Sequence, residues 1–143
     1  MTNERPLKIL LAEDNTGDIF LVRRALLRSQ VECDLITVED GEAAMRFLDN
    51  SEVQQDRPDL ILLDLNLPRR SGHQILHRLK NSPYCQNIPV IILTSSDSPG
   101  DRAQAQRLGA AYYFCKPTDL SGFMKLGNVV KDVMSRDRVR EDS

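Results

Sequence analysis

The sequence predicts an α/β fold, a doubly wound sheet of five parallel strands with five helices distributed over its two faces. Three observations carry that expectation. Short unbroken apolar runs, Ile9-Leu10-Leu11-Ala12, Leu60-Ile61-Leu62-Leu63, Val90-Ile91-Ile92-Leu93 and Ala111-Tyr112-Tyr113-Phe114-Cys115, have the length and continuity of strands buried on both faces. Segments with helical apolar spacing separate them, and such alternation implies right-handed βαβ crossovers in a helix–sheet–helix sandwich. Each run also ends in polar residues: Glu13 and Asp14, then Asp64, Thr94 and Lys116. Sheets of this kind bind ligands outside the carboxyl ends of their strands, so the chemistry converges on one patch.

Taken in order, the pattern places strands at 7–12, 33–38, 59–63, 89–94 and 111–115, and helices at 16–29, 41–50, 72–82, 101–108 and 119–134. The first helix carries Ile19, Val22, Ala25 and Leu26 on one stripe, with Arg23, Arg24 and Arg28 between them. Ala43, Ala44, Phe47 and Leu48 mark the second helix, and Ile75, Leu76 and Leu79 the third. The fourth ends at Gly109, suited to the left-handed turn that closes a helix. Leu120, Phe123, Met124, Val130 and Val133 form the core stripe of the fifth. Leu35-Ile36-Thr37-Val38 is the least continuous strand and reads as an edge. The polar stretch Asn50–Arg57 reads as a solvated loop, or in a sharper reading a partner contact.

At 143 residues the chain has the size of one ordinary domain. The domain is expected over 7–134, with 135–143 as a frayed, mixed-charge tail. Nineteen basic against 21 acidic residues give a net charge of −2, which argues against non-specific nucleic-acid binding. There is no run of the roughly 18 apolar residues that a membrane span needs, and the N-terminus lacks the apolar core of a signal peptide. Cytoplasm is the expected compartment. Cys33, Cys85 and Cys115 contain no Cys-x-x-Cys pair and read as small reduced side chains. An oxidant at Cys115 would act beside Lys116.

Crowded carboxylates resist full ionisation unless a cation neutralises them. Oxygen-only ligands suit Mg²⁺, which takes one or two carboxylates plus phosphoryl oxygens and water. Asp14 and Asp64 are the expected direct ligands. Glu13 acts directly or through water, and the Asn66 carbonyl is a third protein ligand. A carboxylate can attack phosphorus and become an aspartyl phosphate. Asp64, closing the central run, is placed as that nucleophile. Lys116 and Mg²⁺ would hold two phosphoryl oxygens and the Thr94 hydroxyl the third.

The segments Leu11-Ala12-Glu13-Asp14-Asn15, Leu62-Leu63-Asp64-Leu65-Asn66-Leu67-Pro68, Leu93-Thr94-Ser95 and Gly109–Pro117 resemble those of response-regulator receiver domains over about residues 7–134. The resemblance implies the flavodoxin-like strand order 2-1-3-4-5. It implies Asp64 as phosphoacceptor, Glu13 and Asp14 as the acidic metal pair, and Lys116 as the phosphoryl contact. It further implies Thr94 as the switch hydroxyl, Tyr113 as the aromatic switch, and a cis Lys116–Pro117 bond. The function implied is a stand-alone phospho-switch. It takes its phosphoryl group from a sensor histidine kinase and signals by protein contact, with no catalysis beyond its own phosphorylation and dephosphorylation. A middle carrier in a phosphorelay is the alternative. Asp40-Gly41-Glu42-Ala43-Ala44 and the stretch Leu62–Gly72 further resemble the stand-alone regulators that partner bacterial phytochrome kinases, although Ser71 stands where that subgroup has Asp. A homodimer through the fourth helix, fifth strand and fifth helix is also expected.

Blander or different readings exist for several of these residues. Glu13-Asp14 could cap the first helix, as could Asn15, Thr16 or Asp18. His73 and His77 lie at metal-ligand spacing, but no carboxylate or Cys accompanies them in sequence, so a solvated face is the expectation. A haloacid-dehalogenase-type phosphatase would open an Asp-x-Asp motif on the first strand, which this chain lacks. A flavodoxin-like electron carrier would carry Ser, Thr and Gly donors where Glu13-Asp14 stand.

Overall fold

Alternation along the strands decides which layer each residue joins. On one side of the sheet Leu10, Ala12, Ile61, Leu63, Val90 and Ile92 pack with Ala44, Leu48, Ile75, Leu76, Leu79 and Ala105. On the other, Ile9, Leu11, Leu60, Leu62, Ile91, Leu93 and Phe114 pack with Val22, Ala25, Leu26, Phe123, Leu126 and Val130. Successive side chains of a strand point to opposite faces, so the continuous apolar runs supply both cores at once. This computed structural model describes residues 5–53 and 57–142, the side chains of 51–53 and 137–142 excepted.

The elements are β1 (Leu7–Ala12), α1 (Thr16–Arg28), β2 (Cys33–Val38), α2 (Gly41–Val53), β3 (Leu60–Leu63), α3 (Gly72–Lys80), β4 (Val90–Thr94), α4 (Pro99–Arg107), β5 (Tyr112–Cys115), α5 (Leu120–Phe123) and α6 (Leu126–Asp142). The sheet is parallel in the order β2-β1-β3-β4-β5. This is the flavodoxin-like topology the sequence predicts, with β2 at an edge. Helices α1, α5 and α6 cover one face and α2, α3 and α4 the other. Among the described residues, no helix is long and apolar enough to cross a membrane.

Local chemistry sets the boundaries. Asn15 Oδ1 accepts from the Asp18 backbone N–H at 2.9 Å and caps α1. Ser71 caps α3 in a reciprocal capping box with Gln74, so the serine at this position performs a helix-capping task that Asp could also perform. Ser98 caps α4, which begins at Pro99 rather than 101. Gly109 has φ +97°, the left-handed turn expected of it.

Three expectations are corrected. The fifth helix is split into α5 and α6, because Lys125 N–H bonds to Gly122 O and Asn128 N–H to Lys125 O; these i→i+3 bonds tighten the turn. Helix α2 runs three residues past its expected end, to Val53; residues 54–56 of the polar loop lie outside the described residues. The tail expected to fray is helical through Asp142, since adding residues to an existing helix is far easier than starting one. An Asp132–Arg136 pair at 3.2 Å supports it. Ser143 lies outside the described residues.

Candidate functional site

Strand register brings the polar ends together. Ala12 is opposite Leu63, and Asp64 N–H bonds to Ala12 O at 3.1 Å. Glu13 and Asp64 therefore emerge side by side from the two central strands. Thr94 closes β4 opposite Cys115, and Lys116 N–H bonds to Thr94 O at 2.6 Å. Asn15 takes the helix cap, which leaves both carboxylates of Glu13-Asp14 free of that task.

At the centre is one ammonium among carboxylates. Lys116 Nζ donates to Glu13 Oε1 at 2.7 Å, to Asp18 Oδ2 at 2.7 Å and to Asp64 Oδ2 at 3.3 Å. Glu13 and Thr94 are fully buried and Asp64 is 6% exposed. Asp14 stands exposed at the mouth. Carboxylate oxygens of Glu13, Asp14 and Asp64 lie within 4.8 Å of one another. Burial pushes the Glu13 carboxyl up to about 7, with Lys116 pulling against it and the charge of Asp64 adding to the rise. Burial also works against the Lys116 charge, but bonds to Asp18 and Glu13 and the field of Asp64 override it and raise its pKa. Three hard oxygen donors with too little positive charge between them fit a divalent cation.

Backbone donors hold the acidic groups in place. Asn66 N–H bonds to Asp64 Oδ1 at 3.0 Å and Asn15 N–H to Glu13 Oε2 at 3.2 Å. Asp64 thus has one oxygen fixed by backbone and one facing Lys116. Thr94 Oγ1 accepts from Ser96 N–H at 3.3 Å, so its hydroxyl is turned into its own loop.

That loop leads outward. Ser96 Oγ donates to Asp101 Oδ2 at 2.7 Å, and Tyr113 OH donates to Ser96 O at 2.9 Å. The Arg102 guanidinium lies 4.5 Å from the Tyr113 ring centroid. Tyr113 is consequently half-buried; its hydroxyl has found an acceptor and its ring a cation.

The histidines also need correcting. His73 Nε2 faces Asp101 Oδ1 at 3.4 Å, a carboxylate brought from α4 that sequence spacing does not reveal. The Ser96 hydroxyl first, and His73 second, hold the Asp101 carboxyl below its usual range. His77 is exposed and does not join it. Among the described residues the acidic cluster Glu13-Asp14-Asp64 is the only potential metal-binding group. The Lys116–Pro117 peptide is trans, since no cis bond occurs among the described residues. X-Pro isomers differ by only about 0.5–1 kcal/mol, so the dipeptide alone does not fix the isomer. Cys33, Cys85 and Cys115 are free thiols, and burial pushes the Cys33 thiol up.

Asp18 is the residue that sequence reasoning missed. It was weighed only as a helix cap, yet its carboxylate bonds Lys116. The available signal was its place in the first turn of the helix that follows Glu13-Asp14.

The model of the response regulator receiver domain matches residues 9–126. The response regulator Rcp1 of Synechocystis sp. is 38% identical over 123 residues, covering 85% of this chain and 84% of Rcp1. Its Mn²⁺-bound crystal structure superposes with a TM-score of 0.79 at 37% identity, covering 88% of this chain and 92% of that one. The phosphorylated cyanobacterial phytochrome response regulator RcpA gives a TM-score of 0.81 at 36% identity, covering 90% and 93%. The bacteriophytochrome response regulator RtBRR gives 0.75 at 32% identity, covering 90% and 78%. These likenesses favour neither the phosphatase nor the electron carrier.

Proposed function

The chain belongs to the response regulator receiver domain family, and we propose that within it Asp64 accepts a phosphoryl group from a sensor histidine kinase. The observation that carries this assignment is the geometry of the Asp64 carboxylate. One oxygen is fixed by the Asn66 N–H and the other faces the Lys116 ammonium, at the end of a fully buried central strand.

In the transfer, an Asp64 oxygen forms the new P–O bond while the P–N bond to the kinase imidazole breaks and the electron pair returns to that nitrogen. Lys116 turns one N–H to a phosphoryl oxygen and Thr94 its hydroxyl to another. Glu13, Asp14, Asp64 and the Asn66 carbonyl would hold Mg²⁺, which supplies charge neutralisation for the transferring group. Hydrolysis of the aspartyl phosphate is the only other reaction assigned to the chain.

When Thr94 turns inward it leaves the Ser96 N–H, and the loop that anchors the Tyr113 hydroxyl is released. Tyr113 then shifts, and the face formed by α4, β5 and the α5–α6 segment carries the signal to a downstream protein or a second copy of this chain. A hollow between Arg102, Gln106, Ala110 and Tyr112 lies on that face. Residues 7–134 form the receiver unit and 135–143 its charged end, acting in the cytoplasm. The likeness to RcpA and RtBRR nominates a bacterial phytochrome as the kinase.

The test is phosphorylation by acetyl phosphate with Mg²⁺ and with a chelator. Label is expected only with the metal and is expected to vanish in Asp14→Ala. Normal labelling of that variant places the metal elsewhere.

A further inference from the structure

All three N–H groups of Lys116 are taken by carboxylates, and two of those carboxylates belong to the candidate metal cluster. The ammonium and a divalent ion therefore compete for Glu13 and Asp64. Asp18 stands outside the cluster. It projects from the first turn of α1, three-quarters buried, and its carboxylate meets Lys116 Nζ at 2.7 Å, as close as Glu13 does. A charge-assisted bond of that length is among the stronger ones a lysine makes.

We propose that Asp18 is the positioning residue for Lys116. It keeps the ammonium anchored when Glu13 and Asp64 turn to a divalent ion, and leaves one N–H aimed at the phosphoryl group. The inference rests on the assignment of Asp64 as phosphoacceptor. An ammonium with three donors can serve Asp18 and a phosphoryl oxygen together, because the bonds leave Nζ in different directions. Without Asp18 the remaining acceptors are Glu13 and Asp64, so Lys116 falls back onto them and excludes the ion.

Loss of a negative charge anywhere near the cluster would also weaken cation binding, so the test has to separate the two effects. A double-mutant cycle does this. Mg²⁺ and beryllofluoride affinities are measured by NMR titration of the full chain for wild type, Asp18→Ala, Lys116→Met and the double variant. Asp18→Ala is expected to weaken Mg²⁺ binding roughly tenfold with Lys116 present, and by less than about twofold in the Lys116→Met background. The beryllofluoride affinity is expected to fall in parallel. An equal effect in both backgrounds means that Asp18 acts on the ion by charge alone and overturns the proposal.

Removing Lys116 from among buried carboxylates carries a risk to folding, so a second measurement avoids it. The Lys116 ammonium protons should remain protected from exchange in Mg²⁺-loaded wild type and lose that protection in Asp18→Asn. Equal protection in both proteins overturns the proposal. Wild type that binds neither Mg²⁺ nor beryllofluoride overturns the site assignment as well. Wild type that binds both, with no coupling between Asp18 and Lys116, overturns this inference alone.

Discussion

Gly72, the first residue of α3, is placed directly against the backbone of the phosphoacceptor candidate, and adding one methyl group there should damage both stability and chemistry. A Cβ at Gly72 would stand 2.6 Å from Asp64 O and 2.7 Å from Leu65 Cα. Ordinary contact begins near 3.4 Å, so either α3 or the end of β3 must retreat by about 0.8 Å, and neither neighbour is a flexible side chain. Gly72 N–H also bonds to Leu65 O at 2.9 Å, which ties the two segments together. Overpacking of this kind costs roughly 1–3 kcal/mol. Displacing a reacting group by nearly 1 Å can cost on the order of a hundredfold in rate. Urea denaturation of Gly72→Ala and its phosphorylation rate with acetyl phosphate measure the two effects. Gly100→Ala serves as the control. It lies in the first turn of α4 with Ser98 Oγ as the nearest atom, at 3.6 Å, and should gain up to about 1 kcal/mol without changing the rate. If Gly72→Ala keeps wild-type stability and wild-type rate, the close approach of α3 to Asp64 is not as described.

Further outcomes follow from the same geometry. In chelator, folding stability should fall as pH rises from about 4.5 to about 7, because burial raises the Glu13 carboxyl across that range and the folded state holds the proton that the unfolded state has lost. A carboxyl moved from 4.5 to about 7 is linked to about 3 kcal/mol. Glu13→Gln should remove that part of the slope, and an unchanged slope in the variant would assign the titration to other groups. Thr94→Ala should leave Asp64 phosphorylation measurable while cancelling the beryllofluoride-induced change in amide exchange over residues 95–134; a full wild-type response there refutes the coupling. Asp101→Ala removes the acceptor shared by Ser96 and His73, so amide exchange at Ser98 and Asp101 should accelerate, at a cost within about 1 kcal/mol for a half-exposed bond. Unaltered exchange would mean the loop is held by Tyr113 alone.

The residues that were legible in the sequence are those whose chemistry conflicts with their surroundings. A carboxylate or ammonium at the end of an unbroken apolar strand has no packing reason to be there. Glu13, Asp64 and Lys116 therefore announced themselves, and β1, β3 and β5 with them. Contacts set by helix placement were not legible. Asp18 looked like one of several capping candidates, because only the folded arrangement, with α1 packed against α5 and α6, brings it to Lys116, 98 residues away. His73 looked solvated, because its partner comes from α4, 28 residues away. The break between α5 and α6 carries no proline and interrupts no apolar stripe. Its i→i+3 bonds are a backbone adjustment that side-chain periodicity does not record. The half-buried seat of Tyr113 was not legible either, because its hydroxyl finds its acceptor, Ser96 O, in the loop after β4, 17 residues away.

The most direct measurement on the central claim is the intact mass of wild type and Asp64→Asn after incubation with acetyl phosphate and Mg²⁺. Wild type is expected to gain one phosphoryl group, lost again on treatment with hydroxylamine as an acyl phosphate should be, while Asp64→Asn gains none. Phosphorylation of Asp64→Asn to the wild-type level would contradict the account.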